Sequence, residues 1–136
     1  MRAPTSATSR LTHQVTARDS AINWGNDVPV LATPVLLWLS EITAMQAVEQ
    51  YLEPDEMTVG LAHESRHLAP TPVGMRVRLT ATLVEQRGHK LVFDVRGYDD
   101  EALVLEGRHT RAVVHRTTFL STVDAKAASL ATGVPS

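Results

Sequence analysis

Three residues of the kinds that attack or polarise a carbonyl stand on different stretches of the chain: Thr33, Glu41 and His67. A hydroxyl, a carboxylate and an imidazole together supply an attacking oxygen or base, a proton route and hydrogen-bond donors, with neither a metal nor a thiol required. Glu41 is the most telling of them. Helical spacing puts it on the face shared by Leu37, Ala44, Met45 and Val48, where a carboxylate needs a donor partner to stay ionised. Gly60, on the stretch leading to His67, leaves a backbone amide able to face a developing oxyanion.

The same residues have plainer roles. Thr33, followed by Pro34, suits a helix cap, His67 suits a hydrogen-bonded position in a sheet, and Gly60 and Gly74 suit a bulge and a turn. His63 and His67 invite a metal, but four residues of extended strand would hold them roughly 13 Å apart. His13, His89, His109 and His115 are scattered along the chain, so no metal site is expected. Arg76, Arg78, Arg108 and Arg111 alternate with apolar residues. They form either a solvated strand face or phosphate partners at the rim of a site, with Lys90 a further rim candidate.

The elements that must position these groups follow from periodicity. Leu11 to Arg18 reads as a short strand, and Asp19 to Pro29 as a loop whose Ile22 and Trp24 make it a candidate lid. A helix starts at Thr33-Pro34 and runs to about Leu52, buried mostly in its N-terminal half and ended by Pro54. From Met57 the period becomes two, with strands expected over Met75 to Gln86, Lys90 to Tyr98 and Ala102 to His115, joined by short turns. This order implies an α+β fold, an antiparallel sheet wrapped around one long central helix. The Ser/Thr/Ala/Pro-rich ends, residues 1–10 and 120–136, are expected to be flexible around a single domain at 11–119. Trp24, Val28, Trp38 and Met45 are candidate pocket wall, with Trp38 equally suited to ordinary core.

Composition narrows the function classes. A chain of 136 residues supports one core, and a net charge of −2 with mixed signs offers no basic face for nucleic acid. The absence of cysteine excludes disulfides, thiolate metal sites and a cysteine nucleophile. The polar start lacks the apolar stretch of a signal peptide and no run approaches a membrane span, so a soluble cytoplasmic protein is expected.

With Thr33, Glu41, Gly60, His67, Thr71-Pro72-Val73-Gly74 and Gly107-Arg108-His109-Thr110-Arg111 in this order, the chain resembles the hotdog-fold thioesterases, in particular the fluoroacetyl-CoA thioesterase-like family. The resemblance implies catalytic roles for Thr33, Glu41 and His67, and substrate contacts from Gly60, Arg111 and the segment holding Val28. It also implies a homodimer with each site built from both chains, and an acyl-CoA substrate that brings coenzyme A with it, so that no separate cofactor is needed. Val28 stands where the family has a phenylalanine gate and Pro34 where it has a glycine, so the reaction class carries over and the substrate does not. The activity expected is hydrolysis of a small or medium acyl-CoA. The alternative is a non-catalytic hotdog protein that binds an acyl-CoA or another small apolar ligand.

Overall fold

The computed structural model describes residues 1–131. Five strands form one antiparallel sheet in the order β1-β3-β4-β5-β2: β1 (Thr8–Gln14), β2 (Glu56–His67), β3 (Arg76–Arg87), β4 (Lys90–Tyr98) and β5 (Leu103–His115). The long helix α1 spans Thr33–Val48 and is followed by a single 3-10 turn, Glu49–Tyr51. Alternation decides which strand residues meet the helix. Val77, Leu79, Ala81 and Leu83 of β3 and Leu91, Phe93 and Val95 of β4 are buried. Against them α1 sets Val35, Leu36, Leu39, Ala44, Ala47 and Val48, the period expected of one apolar helix face. The buried hydroxyls of Ser40 and Thr43 donate back to the carbonyls of Leu37 and Leu39, so neither is left unpaired.

The helix rests mainly on β3 and β1 and touches β5 and β2 less. Its opposite face therefore stays open toward the β5–β2 half of the sheet. Trp38 lies on that face and is 54 % exposed, so it is not core, and Met45 is exposed beside it.

The chain ends differ from their composition. Met1 pairs its amino group with Glu56 at 2.9 Å, Ala3 and Ala7 are buried, and β1 begins at Thr8 rather than Leu11. At the other end a second helix, α2 (Arg116–Ala131), continues directly from β5 where a loose tail is expected; the rest of that tail lies outside the described residues. The loop after β1 is partly wound into two 3-10 turns, Ala17–Asp19 and Ala21–Trp24. These turns leave Ile22, Trp24 and Val28 exposed.

Backbone bonds fix where α1 starts. Leu31 donates to the Thr71 carbonyl and Ala32 to the Asp19 carbonyl, both at 2.8 Å. Thr71 is itself anchored by its hydroxyl to the buried carboxylate of Asp99 at 3.0 Å, and that carboxylate also accepts the amides of Glu101 and Ala102. Burial opposes the charge on Asp99, but these donors and nearby Arg78 outweigh it and hold the carboxyl below its ordinary value. The first turn of α1 is thus tied to the β4–β5 turn.

Candidate functional site

Thr33 is the first helical residue, with Ala32 at the cap position and no side-chain cap bond. The threonine therefore does not cap α1. Its hydroxyl pairs instead with Nδ1 of His67, at 2.7 Å across from the end of β2. Burial lowers the His67 pKa below its ordinary value, partly offset by the backbone at Ala69, so the ring is neutral near pH 7. Its Nε2 is buried with no partner among the described residues.

Two helical turns on, Glu41 has a separate set of neighbours. Its Oε1 accepts from Nη1 of Arg111 at 3.0 Å, and Nε2 of His63 and of His109 lie 3.7 and 3.6 Å from its carboxylate oxygens. The donor partner of Glu41 is thus Arg111. Arg111 is only 4 % exposed and does not belong to a solvated strand face. Its Nε donates to Thr58 Oγ1 at 2.9 Å and its Nη2 to the Thr58 carbonyl at 3.0 Å. Burial lowers the Arg111 pKa, and Glu41 counters it with its charge and its hydrogen bond.

Gly60 lies directly under the carboxylate. A Cβ built on it would come within 2.5 Å of Glu41 Oε1, so the absent side chain is what admits the glutamate. The expected bulge is present, because the β2–β5 register shifts between Gly60 and Ala62. One extra residue reverses the parity of a strand. Before the bulge the inward residues are Thr58 and Gly60; after it they are His63, Ser65 and His67. That switch brings His63 over His109, with ring centroids 4.0 Å apart and planes 13° from parallel.

His63 and His109 are the neighbours of Glu41 that sequence reasoning missed. A signal for His109 and Arg111 was present in β5, where they share the parity of the buried Leu105 and Val113. Glu41, His63 and His109 bring three ligand atoms within 4.8 Å of one another, a set that suits a divalent cation. The Arg111 guanidinium already bonds Glu41 Oε1 and His109 Nε2, so a cation would have to displace it from the two atoms it needs.

The structure therefore brings the predicted residues together in two groups. Thr33 meets His67, while Glu41 meets Gly60 and Arg111. Thr33 and Glu41 are eight positions apart on α1, about 12 Å along the axis. Val28 joins neither group and stands exposed in the loop before α1. A cleft of about 460 Å³ opens beside Thr58, lined by Ile42, Met45, Leu52 and Met57. A larger one of about 600 Å³, between β1, β3 and the β4–β5 turn, is lined by Arg78 but contains none of Thr33, Glu41, Gly60, His67 and Arg111.

The model of the fluoroacetyl-CoA-specific thioesterase family, FlK, matches residues 11–117. The fluoroacetyl-CoA thioesterase of Streptantibioticus cattleyicolor is 36 % identical over 97 residues, 71 % of this chain and 70 % of that protein. A crystal structure of the fluoroacetyl-CoA thioesterase FlK superposes with a TM-score of 0.87 at 27 % identity, covering 93 % of this chain and 98 % of that one. A thioesterase-superfamily protein of Thermus thermophilus shares the fold, with a TM-score of 0.91 at 24 % identity over 97 % of this chain and 99 % of its own. The chain belongs to the fluoroacetyl-CoA-specific thioesterase family and has its hotdog fold, which makes it an acyl-CoA thioesterase.

Proposed function

We propose that this thioesterase hydrolyses a small or medium acyl group from coenzyme A, using Glu41, Thr33 and His67 in a site shared by two copies of the chain. The observation that carries this is the Glu41 carboxylate, held by buried Arg111 with Oε2 left for chemistry. Glu41 takes the proton of the water that attacks the thioester carbonyl, or attacks that carbonyl itself to form an acyl anhydride that water then hydrolyses to the free acid and the restored carboxylate. The Gly60 amide faces the oxyanion, the C–S bond breaks, and the thiolate of coenzyme A leaves with a proton delivered by way of His67 and Thr33. These groups need no metal or organic cofactor. The apolar cleft beside Thr58 offers room for an acyl chain. Val28, where the family has its gate, leaves that chain less restricted than fluoroacetyl.

A homodimer explains why one chain holds two half-sites. β2 is an edge strand, and such an edge must be covered or paired. A second copy pairing along this edge would bring its own Thr33–His67 pair toward the Glu41 half-site. The Thr33–His67 pair of one subunit then completes the Glu41 site of the other. Among the described residues no helix is long and apolar enough to cross a membrane. A cytoplasmic location, with no nucleic-acid partner, fits the charge pattern.

The first test is release of free thiol from acyl-CoAs, acetyl to long-chain and aryl, by wild type beside Glu41→Ala. Turnover lost in a folded variant supports the assignment; no turnover by wild type supports a binding protein instead. The shared site has its own test, because a hybrid of Glu41→Ala and His67→Ala subunits keeps one intact site only if each site draws on both chains. Recovery of activity on mixing is expected, and none would place all three groups within one chain.

A further inference from the structure

We propose that His109 is a positioning residue: a neutral imidazole that fixes the Arg111 guanidinium and, through it, the carboxylate of Glu41. This rests on the catalytic role given to Glu41 above. The partners of the His109 ring leave one protonation state. Nδ1 lies 2.9 Å from the carbonyl of Ala62, which can only accept, so Nδ1 carries a hydrogen. Nε2 lies 3.1 Å from Nη1 of Arg111, which can only donate, so Nε2 keeps its lone pair. An imidazole that donates at one nitrogen and accepts at the other is uncharged. The ring is 0 % exposed, and burial, with the Arg111 guanidinium beside it, outweighs the Ala62 carbonyl and the Glu41 carboxylate, which favour protonation.

Four of the arginine's five hydrogens are directed as a consequence. Nε and one hydrogen of Nη2 are taken by Thr58, and Nη1 divides its two hydrogens between Glu41 Oε1 and His109 Nε2. With its hydrogens directed this way the guanidinium plane cannot turn, and the bond it offers Glu41 points one way. Without the His109 acceptor, Nη1 keeps a buried hydrogen with no partner, and the plane gains by rotating toward whatever acceptor it can reach. Glu41 then loses its fixed donor although Arg111 and Glu41 are both still present. The stack of His63 on the other face of the ring keeps His109 from turning away.

Three variants separate this role from a structural one. His109→Gln can place an acceptor near the former Nε2, His109→Asn keeps the donor toward Ala62 but loses that acceptor, and His109→Phe keeps bulk and stacking alone. With the full chain and an acyl-CoA that wild type turns over, kcat is expected to fall about tenfold or more in the Asn and Phe variants, as it does when a reacting group is loosened. KM should change less than about threefold, and Gln should restore most of kcat, because the acceptor and not the shape is what matters. Equal kcat in folded Phe and wild-type proteins overturns the proposal, as does a kcat that follows thermal stability across the variants with no Gln rescue. A readout independent of turnover is the ¹⁵N spectrum of the arginine side chains in the unliganded protein. A resolved, slowly exchanging Nη1 signal of Arg111 should persist in Gln and be lost in Phe; its persistence in Phe overturns the proposal even should wild type hydrolyse nothing, an outcome that on its own removes only the catalytic assignment.

Discussion

Replacing Gly60 by alanine should remove most of the activity at a cost to the fold of only about 1.5 kcal/mol. The added Cβ would sit 2.5 Å from Glu41 Oε1 but at ordinary contact distance, 3.5 Å or more, from Arg111 and His109. A carbon needs about 3.3 Å from an oxygen, so the carboxylate must retreat by roughly 0.8 Å. The bond from Arg111, now 3.0 Å, then stretches beyond hydrogen-bond length or forces Arg111 off Thr58. Displacing a reacting group by about 1 Å costs on the order of a hundredfold in rate, equivalent to about 2.7 kcal/mol of barrier. Stability changes less, because the atom in the way is the tip of a flexible side chain on a partly open face. The lost charge-assisted bond costs about 2 kcal/mol, and restricting the unfolded chain by the Gly-to-Ala change returns roughly 0.5 kcal/mol. Thiol release with a turned-over acyl-CoA gives kcat, and thermal unfolding gives Tm. A Gly60→Ala protein with kcat within about threefold of wild type would refute the claim that the empty space over Gly60 positions Glu41, since a displacement of this size cannot be so cheap.

Three further outcomes follow from the same geometry. Thr33→Val keeps the shape and loses the hydroxyl bonded to His67; kcat should fall by about a hundredfold if that hydroxyl takes part in the chemistry, with Tm unchanged because Thr33 does not cap α1. His109 has its pKa lowered from 6.5 to about 4 by burial. The unfolded chain therefore binds this proton first as pH falls, and wild type should lose about 3 kcal/mol of stability between pH 6.5 and 4 that His109→Gln does not lose, measured by denaturant titration. Asp99→Ala leaves the amides of Glu101 and Ala102 and the Thr71 hydroxyl without their acceptor, and should cost about 2 kcal/mol or more by denaturant titration at pH 7. Because the Asp99 pKa is lowered on folding, its contribution is present above the ordinary carboxyl value and lost as pH drops below it.

The sequence by itself determined the class of fold, the order of its main elements and the residue types of the site. Period-two alternation in β3, β4 and β5, a helix opened by Thr33-Pro34 and a glutamate on an apolar helical run are local patterns, and local patterns survive without knowledge of the fold. The end of α1 at Val48, β1 starting at Thr8 and the helix α2 were not legible, because contacts far along the chain, such as Met1 with Glu56, or helical windows of weak periodicity decided them. Tertiary structure alone decided who meets whom. The bulge after Gly60 flips the parity of β2, so that Thr58 and Gly60 on one side of it and His63 and His67 on the other all face inward. No residue-by-residue pattern announces such a flip, since its register is set by the neighbouring strand. Pairing with β5 then placed Arg111 opposite Gly60 and His109 opposite His63. In that setting an arginine with the sequence signature of a solvated strand became the buried partner of Glu41, and Thr33, spelled as a helix cap, turned its hydroxyl to His67.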